Sequence, residues 1–490
     1  PHAPRDKLNE AILLIVLVGQ NNAEMIASFG NLLSHHLRRW IPEPFVFALV
    51  LTLLVGLLAL AATDSGFVEV TGHWYEGFWL LLEFGMQMVL ILATGFAIAL
   101  SPPASRAIDA LAKFAPTPGA VYVTVLVAGG LFNLVSWGWT VLAAVLGREL
   151  ARRVGGVDYA YLVACVYVAF QPWVGGLSSS IPLLLNTEGN FLIESGVLET
   201  TVSTSRTLGS GLNLAYIAMY FATLPLLMWS MRPGAHQTRT LDELRDPSET
   251  IQKTVAEEAE AYTLDGTSLA DRLNNGSWLQ LTIGLAAMFY IVRHFVANGF
   301  DIDLNIMIFL FMALGLVVHR TPMRYGLAMK RACANVYGIV FQYPFYAGIM
   351  GIMMFSGLGT QISLWLAEGA TMETLPLIAQ FAGAAVNFAI PSAGGEWAVI
   401  GPTLTETALD VSAHLPPDEQ QAFLARIAMA VAYGETSTNL LQPFFLLAVL
   451  PVMGAGVVIH ARDVMGYLVI PFVVVYSLTA LLVGLFPLQV

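Results

Sequence analysis

The chain alternates long apolar runs with short polar connections. Nine runs approach or exceed the roughly 20 residues that a membrane-crossing helix needs: 44–63, 75–101, 158–185, 208–230, 278–296, 301–319, 333–355, 426–450 and 466–487. Two more apolar regions, 119–153 and 374–407, fit badly as simple spans. Small and polar residues interrupt each near its middle, "FNLVSWGW" at 132–139 and "NFAIPSAGGE" at 387–396. Both read as re-entrant hairpins that dip into the bilayer and return to the side they came from. The expected fold is an all-α polytopic membrane protein of about nine transmembrane helices and two hairpins. Its parts are an N-terminal segment 1–43, a first half 44–230, a cytoplasmic linker 231–277 and a second half 278–490. Within the segment, 23–40 mixes apolar and basic positions, as an amphipathic helix on the inner leaflet would. The polar, acidic linker leaves room for one short helix around 248–261.

The positive charges orient this scheme. With the N-terminus in the cytoplasm, seventeen loop Lys and Arg face inward, and only Arg206, Arg293 and Arg426 face outward. Reading 119–153 as one span would put Arg106 and Arg148 on opposite faces and weaken that bias. The resulting expectation is a multi-pass protein of the bacterial inner membrane, with a cytoplasmic N-terminus and a periplasmic C-terminus.

Composition narrows the function. Of 490 residues, 57% are hydrophobic and 11% charged, against about 25% charged in soluble domains. The net charge of −12 and the lack of a basic block exclude a nucleic-acid partner. No zinc spacing, phosphate loop or nucleophile motif is present, so no catalytic residue and no cofactor is expected. An intramembrane hydrolase is disfavoured because no nucleophile sits beside a His. The chain opens on Pro1, which reads as a trimmed start.

The two halves echo each other. Gln87 and Gln342 stand 255 residues apart, Asn133 and Asn387 stand 254 apart, and Gly175-Gly176 is matched by Gly434-Glu435 about 259 later. Each half therefore reads as helix, hairpin, broken helix. The first hairpin opens to the cytoplasm and the second opens outward, which makes the repeats inverted. Such repeats with discontinuous helices place a substrate site near the bilayer midplane and permit alternating access.

Broken backbone at membrane depth persists only inside protein or beside water. Four breaks qualify: 132–139, 171–182, 387–396 and 433–443. Half-helix N-termini favour an anion there, and free carbonyls favour a cation. The candidate substrate residues are Asn133, Ser136, Trp137, Gly138, Gly176, Ser178, Ser179, Ser180, Asn387, Ser392, Gly394, Gly395, Glu396, Thr436, Ser437 and Asn439. Ser136, Asn387, Glu435, Thr438 and Asn439 are candidates for a coupling ion, with Na⁺ considered at the hairpin tips. The competing reading is that these hydroxyls bond back to their own helices and the glycines serve packing. Glu396 and Glu435 are the deepest acids, and a carboxylate at the bilayer centre needs a reason.

Seven motifs carry a family likeness: "RRWIPEPFVFALVLT", "GFWLLLEFGMQM", "RELARR", "GGLSSSIPLL", "FQYPFYAGI", "NFAIPSAGGEW" and "AYGE…NLLQPF". Over about 25–489 the chain resembles the bacterial short-chain fatty acid transporter family, within the ion-transporter superfamily. The resemblance implies uptake of small monocarboxylates such as butyrate or acetoacetate, a homodimer, and a scaffold domain bearing a mobile transport domain, hence an elevator. Two positions depart from the family pattern: Glu396 stands where the family carries His, and Thr436-Ser437 where it carries Gln-Trp. A proton-driven exporter of a small carboxylate or related amphiphile in the same superfamily is the alternative.

Overall fold

The computed structural model describes residues 44–488, apart from 81, 189, 195, 235–237, 246–253, 263–267 and 300–303. The segment 1–43, with its expected amphipathic helix at 23–40, lies outside the described residues. Those that are described form helices and connections without a strand, save an isolated bridge between Arg245 and Val457.

In the first half, α1 (Pro44–Ala62) leads to α2 (Phe67–Leu80), α3 (Leu82–Ala99) and α4 (Pro102–Ala112). Next come α5 (Pro118–Val135), a 3₁₀ turn Trp137–Trp139, and α6 (Thr140–Arg153). The broken helix follows as α7 (Tyr159–Val168), a 3₁₀ turn Gln171–Gly175, and α8 (Ser180–Leu185). The short α9 (Phe191–Glu194) precedes α10 (Gly211–Met231). The linker contributes α11 (Val255–Ala261) and α12 (Leu269–Asn275). In the second half, α13 (Ser277–Asn298) and α14 (Leu304–His319) precede α15 (Pro322–Asn335), α16 (Tyr337–Phe355) and α17 (Leu358–Ala367). Then come α18 (Leu375–Val386), α19 (Ala393–Val411), α20 (Pro417–Thr438), a 3₁₀ turn Asn439–Leu441, α21 (Leu446–Met453), α22 (Ala461–Met465) and α23 (Val469–Leu485).

Three expected spans have different bounds. The run 75–101 belongs to α2 and α3, and helix begins earlier, at Phe67. The run 333–355 starts inside α15, a polar helix that ends at Asn335 before α16 begins. The run 426–450 straddles a break, because α20 starts at Pro417 and stops at Thr438. Among the described residues, five helical segments are long and apolar enough to cross a membrane, and four shorter apolar helices accompany them. Hydropathy had merged neighbours because an apolar side chain scores alike in lipid and in protein.

Element order and packing repeat across the halves. α2 and α15 are both 14 residues long, and both bounds differ by the same 255 positions. α3 and α16 follow them, 18 and 19 residues long. Packing is reciprocal: α2 lies on α16 while α15 lies on α3, and α1 lies on α16 while α14 lies on α3. Likewise α8 meets α19 and α20, while α21 meets α6 and α7. Helix α10 packs on its own counterpart, α23. Exchange of this kind is the contact signature of a two-fold relation between repeats. At the α2/α16 crossing, Gly77 and Gly351 face each other so closely that a Cβ on either would strike the other's backbone.

Polar contacts mark two ends of the molecule. At one, Asp158 caps α7 through Tyr161 N (2.8 Å) and accepts from Arg239 N (2.9 Å). Arg239 pairs with Asp463 at 3.6 Å, and the Arg148 guanidinium donates to the carbonyls of Val452 and Ala455. At the other, Arg206 pairs with Asp418 at 2.9 Å, and Arg426 donates to the carbonyls of Val483 and Phe486. The linker helix α11 starts with a capping box of Thr254 and Glu257. It buries Val255 and Ala259 among Ala97, Leu327 and Ala328, and Glu258 pairs with Arg331.

Candidate functional site

The interruption after α5 is local in origin. Ser136 takes an extended conformation (φ −155, ψ 132), ends α5 and starts the turn Trp137–Trp139. The chain then folds back: Gly129 faces Ala143 and Gly147 faces Val125, pairs that step away from Ser136 in opposite directions. The tip docks on the broken helix α7–α8. Trp137 N donates to Ser178 Oγ (2.8 Å), and Leu177 N donates to Leu134 O (2.8 Å). A Cβ at Gly176 would collide with the Leu134 carbonyl, so only glycine allows this approach. Asn133 Nδ2 donates to Gly129 O (2.9 Å) and Ala169 O (3.1 Å). Its Oδ1, Ser136 Oγ and Thr140 Oγ1 are buried without a hydrogen-bond partner.

The second junction has the same logic. α18 ends at Asn387, Ser392 caps α19 by accepting from Gly395 N (3.4 Å), and residues between them are unwound. Gly383 and Gly434 let α18 and α20 cross closely, since a Cβ on either would meet backbone of the other. Asn387 Nδ2 then lies 3.0 Å from Glu435 O, 2.9 Å from Thr438 Oγ1 and 2.8 Å from Asn439 Oδ1. Three oxygens therefore converge on one amide nitrogen, which has two protons to give. Asn439 Nδ2 donates to Glu435 Oε1 (3.0 Å), and Gln442 Nε2 donates to Asn439 Oδ1 (2.9 Å) and Asn387 O (3.2 Å).

The junctions touch. The Tyr167 hydroxyl reaches the carbonyls of Asn439 (2.9 Å) and Gln442 (2.8 Å), beyond the second break. Gln171 O accepts from Tyr216 Oη (2.6 Å) and Thr436 Oγ1 (3.3 Å). Tyr433 Oη donates to Asn213 Oδ1 (3.2 Å), whose Nδ2 donates to Gly175 O (2.9 Å). Between the second hairpin and the first broken helix, a Cβ at Gly394 would lie 3.7 Å from the Ser180 side chain. Buried polar atoms left without partners concentrate here: both ends of the Gln171 amide, Asn387 Oδ1, Glu435 Oε2, Gln442 Oε1 and both oxygens of Glu396. Native interiors leave few such atoms, so a cluster of them can take up a ligand, an ion or water.

Of the residues expected from sequence, Asn133, Ser136, Trp137, Gly176 and Ser178 meet at the first junction. Asn387, Glu435, Thr438 and Asn439 meet at the second, and Thr436 joins the two. Ser437 bonds back to Tyr433 O (2.6 Å), and Thr438 also reaches Gly434 O (3.2 Å), as hydroxyls inside helices do. Ser179 precedes α8 without capping it through its side chain. Gly138 lies against α3, where its carbonyl would be 3.4 Å from a Cβ at Gly95. Gly395 packs against Met350 and Ile390. Sequence reasoning missed Tyr167, Gln171, Asn213, Tyr216, Tyr433 and Gln442. One signal was available: each broken helix carries Gln-Pro followed by an aromatic residue, Gln171-Pro172-Trp173 and Gln442-Pro443-Phe444.

Comparison with known proteins gives a consistent picture. The family model described as "Short chain fatty acid transporter" matches residues 25–488. A Haemophilus influenzae protein named "Putative short-chain fatty acid transporter" is 35% identical over 449 residues, covering 90% of this chain and 96% of the relative. An Escherichia coli K12 protein of the same name is 36% identical over 445 residues, with the same coverage. Among solved structures, the YdaH transporter of Alcanivorax borkumensis is similar at 18% identity and TM-score 0.47, covering 91% of this chain and 98% of its own. Neisseria gonorrhoeae MtrF, from a class of antimetabolite efflux pumps, is similar at 15% identity and TM-score 0.44, covering 95% of this chain and 97% of its own.

Proposed function

The chain belongs to the short-chain fatty acid transporter family, and from that premise we propose that it is a cation-coupled symporter of small monocarboxylates such as butyrate or acetoacetate. The observation that carries this reading is the meeting of two hairpin tips with two broken helices from reciprocally packed halves. An inverted repeat at the bilayer midplane gives such a site two mirror-related access states. The family assigns a membrane transporter rather than an enzyme.

The coupling cation binds at the second junction. Glu435 O, Thr438 Oγ1 and Asn439 Oδ1 already point at one spot, now filled by the Asn387 amide nitrogen. A rotated Asn387 amide would turn its unpartnered Oδ1 toward those three oxygens, and such an oxygen set suits a hard cation such as Na⁺. The substrate carboxylate lies beside it, held by Trp137 and Ser178 of the first junction and by the first turn of α19, Ser392 to Glu396. Thr436 and the Gln171 amide border that space. Carrying a lone monoanion into a negative interior costs about 2.3 kcal/mol per 100 mV, and one Na⁺ or H⁺ taken along cancels that cost.

The movement is of the elevator type. Helices α5–α8 and α18–α21 travel as one body, which the cross-junction bonds from Tyr167 and Thr436 hold together. The Gly77/Gly351 crossing of α2 and α16 belongs to the stationary scaffold, through which two copies form a homodimer. The protein sits in the inner membrane. The end bearing Arg148, Arg239 and Arg462 faces the cytoplasm, and the end where Arg426 binds Phe486 O faces the periplasm.

The test is uptake of labelled butyrate into proteoliposomes under an imposed Na⁺ or pH gradient, with protein-free vesicles correcting for diffusion of the neutral acid. Gradient-driven accumulation above that background supports the reading. No protein-dependent flux of any small carboxylate in either direction would sink it.

A further inference from the structure

Glu396 stands apart from Glu435, the other buried carboxyl at the junctions. It is fully buried in the first turn of α19, and neither carboxyl oxygen has a hydrogen-bond partner. Its Oε1 lies against Gly383, where a Cβ would approach within 3.0 Å. Helices α8, α16, α17, α18 and α20 pack on α19. The first four carry no Asp, Glu, His, Lys or Arg, and the tyrosines described on α16 include Tyr337, which is exposed, and Tyr346, whose ring packs on Phe444. Helix α20 carries Asp418, Glu419, Arg426, Tyr433 and Glu435, and its Val431 carbonyl lies on the same side of Gly383 as Glu396 Oε1. Glu435 has one oxygen on Asn439 and the other unpartnered.

Among the described residues no side chain or backbone group pairs with the Glu396 carboxyl. The positive end of α19 returns only a fraction of what it costs to strip a carboxylate of water and donors. We propose that Glu396 crosses the membrane bearing a proton, and that this proton is a coupling ion for the carboxylate. The inference rests on the symport reading and deepens it by naming the ion. The anionic form of Glu396 takes the proton from water on the outer side while the second hairpin, 374–407, is open. It keeps the proton while the substrate monoanion occupies the neighbouring space, because two negative charges side by side in that dry pocket repel strongly. After inward exposure the substrate leaves, and the proton passes to cytoplasmic water. One proton moves per cycle at this residue, and no bond is oxidised or reduced.

The experiment measures protein-dependent butyrate flux and the accompanying current together in proteoliposomes of the full chain, with and without a transmembrane pH difference. One monoanion with one proton carries no net charge, so the ratio of charge to butyrate moved gives protons per substrate, whatever the residual rate. Wild-type flux should respond to the pH difference, and E396Q should carry one more negative charge per butyrate than wild type. An identical ratio in the two proteins overturns the proposal, as does coupling to Na⁺ with no response to the pH difference. Absence of any protein-dependent butyrate flux in wild type would instead remove the symport reading and this inference together. Should E396Q fail to fold, infrared difference spectra of wild type and E396D decide the matter. A protonated-carboxyl band that responds to butyrate and shifts in E396D supports the assignment, and its absence from wild type overturns it.

Discussion

The Tyr167 hydroxyl binds the Asn439 carbonyl at 2.9 Å and the Gln442 carbonyl at 2.8 Å, across 272 and 275 positions of sequence. A single phenol from the first broken helix thereby closes two carbonyls that the second broken helix leaves open. Such groups are free because beyond Thr438 the chain passes through a 3₁₀ turn into an extended Gln442, and no helix ladder continues to take them up.

Y167F would leave two buried carbonyls without their donor. We expect a loss of about 1–3 kcal/mol in stability, read as a lower melting temperature of the purified protein in detergent. A melting temperature equal to that of wild type would show that the bond does not hold the two broken helices together.

Gly434 touches the Gln380 carbonyl and the Ala384 amide of α18 so closely that a methyl group cannot enter. G434A should cost about 1–3 kcal/mol or more by forcing the two helices apart. G155A, where nothing lies within 4 Å, is its control. Monodisperse yield from size-exclusion chromatography should fall for the first and hold for the second. Equal yields would contradict the packing described.

Asn387 gathers the oxygens of Glu435, Thr438 and Asn439. N387A should raise the cation concentration for half-maximal uptake roughly tenfold, the equivalent of about 1.4 kcal/mol. Titrating uptake against Na⁺ at fixed pH, and against pH without Na⁺, separates the two ions. A variant whose responses to both match wild type would place the coupling ion elsewhere.

Glu258 of the linker helix pairs with Arg331, with a quarter or less of each side chain exposed. An E258A variant should lose only ~1 kcal/mol of stability or less, and butyrate uptake should stay near the wild-type rate. Val255 of the same helix is buried, so V255D should release the linker from α15 and lower stability more than E258A does. Limited proteolysis between 238 and 275 reads that release. Faster cleavage in E258A than in V255D would reverse the ranking.

The legible part of the site was the part written in neighbouring residues. Pro172, Gly176 and Pro391 punctuate apolar runs, and the breaks fall beside them because backbone restrictions act within a residue or two. The paired spacing of Gln87 with Gln342 was likewise open to reading, and α2 and α15 show it as helices of equal length. The polar helix α15 was not legible. Its Met323, Leu327 and Met329 pack against α3 and the linker, and a hydropathy window does not separate that burial from exposure to lipid.

Sequence by itself determined the apolar spans, the sites of the breaks and the family, because each depends on residue type and local order. Only the tertiary structure decided which broken ends meet. Tyr167 and Asn439, or Gln171 and Thr436, come together through helix packing over more than 250 positions, and no local pattern encodes that. It also decided that Ser437 turns back to its own helix while Asn387 leans across to another. The same holds for Glu396: its depth followed from its run, but the lack of a partner depended on which side chains five other helices bring to it.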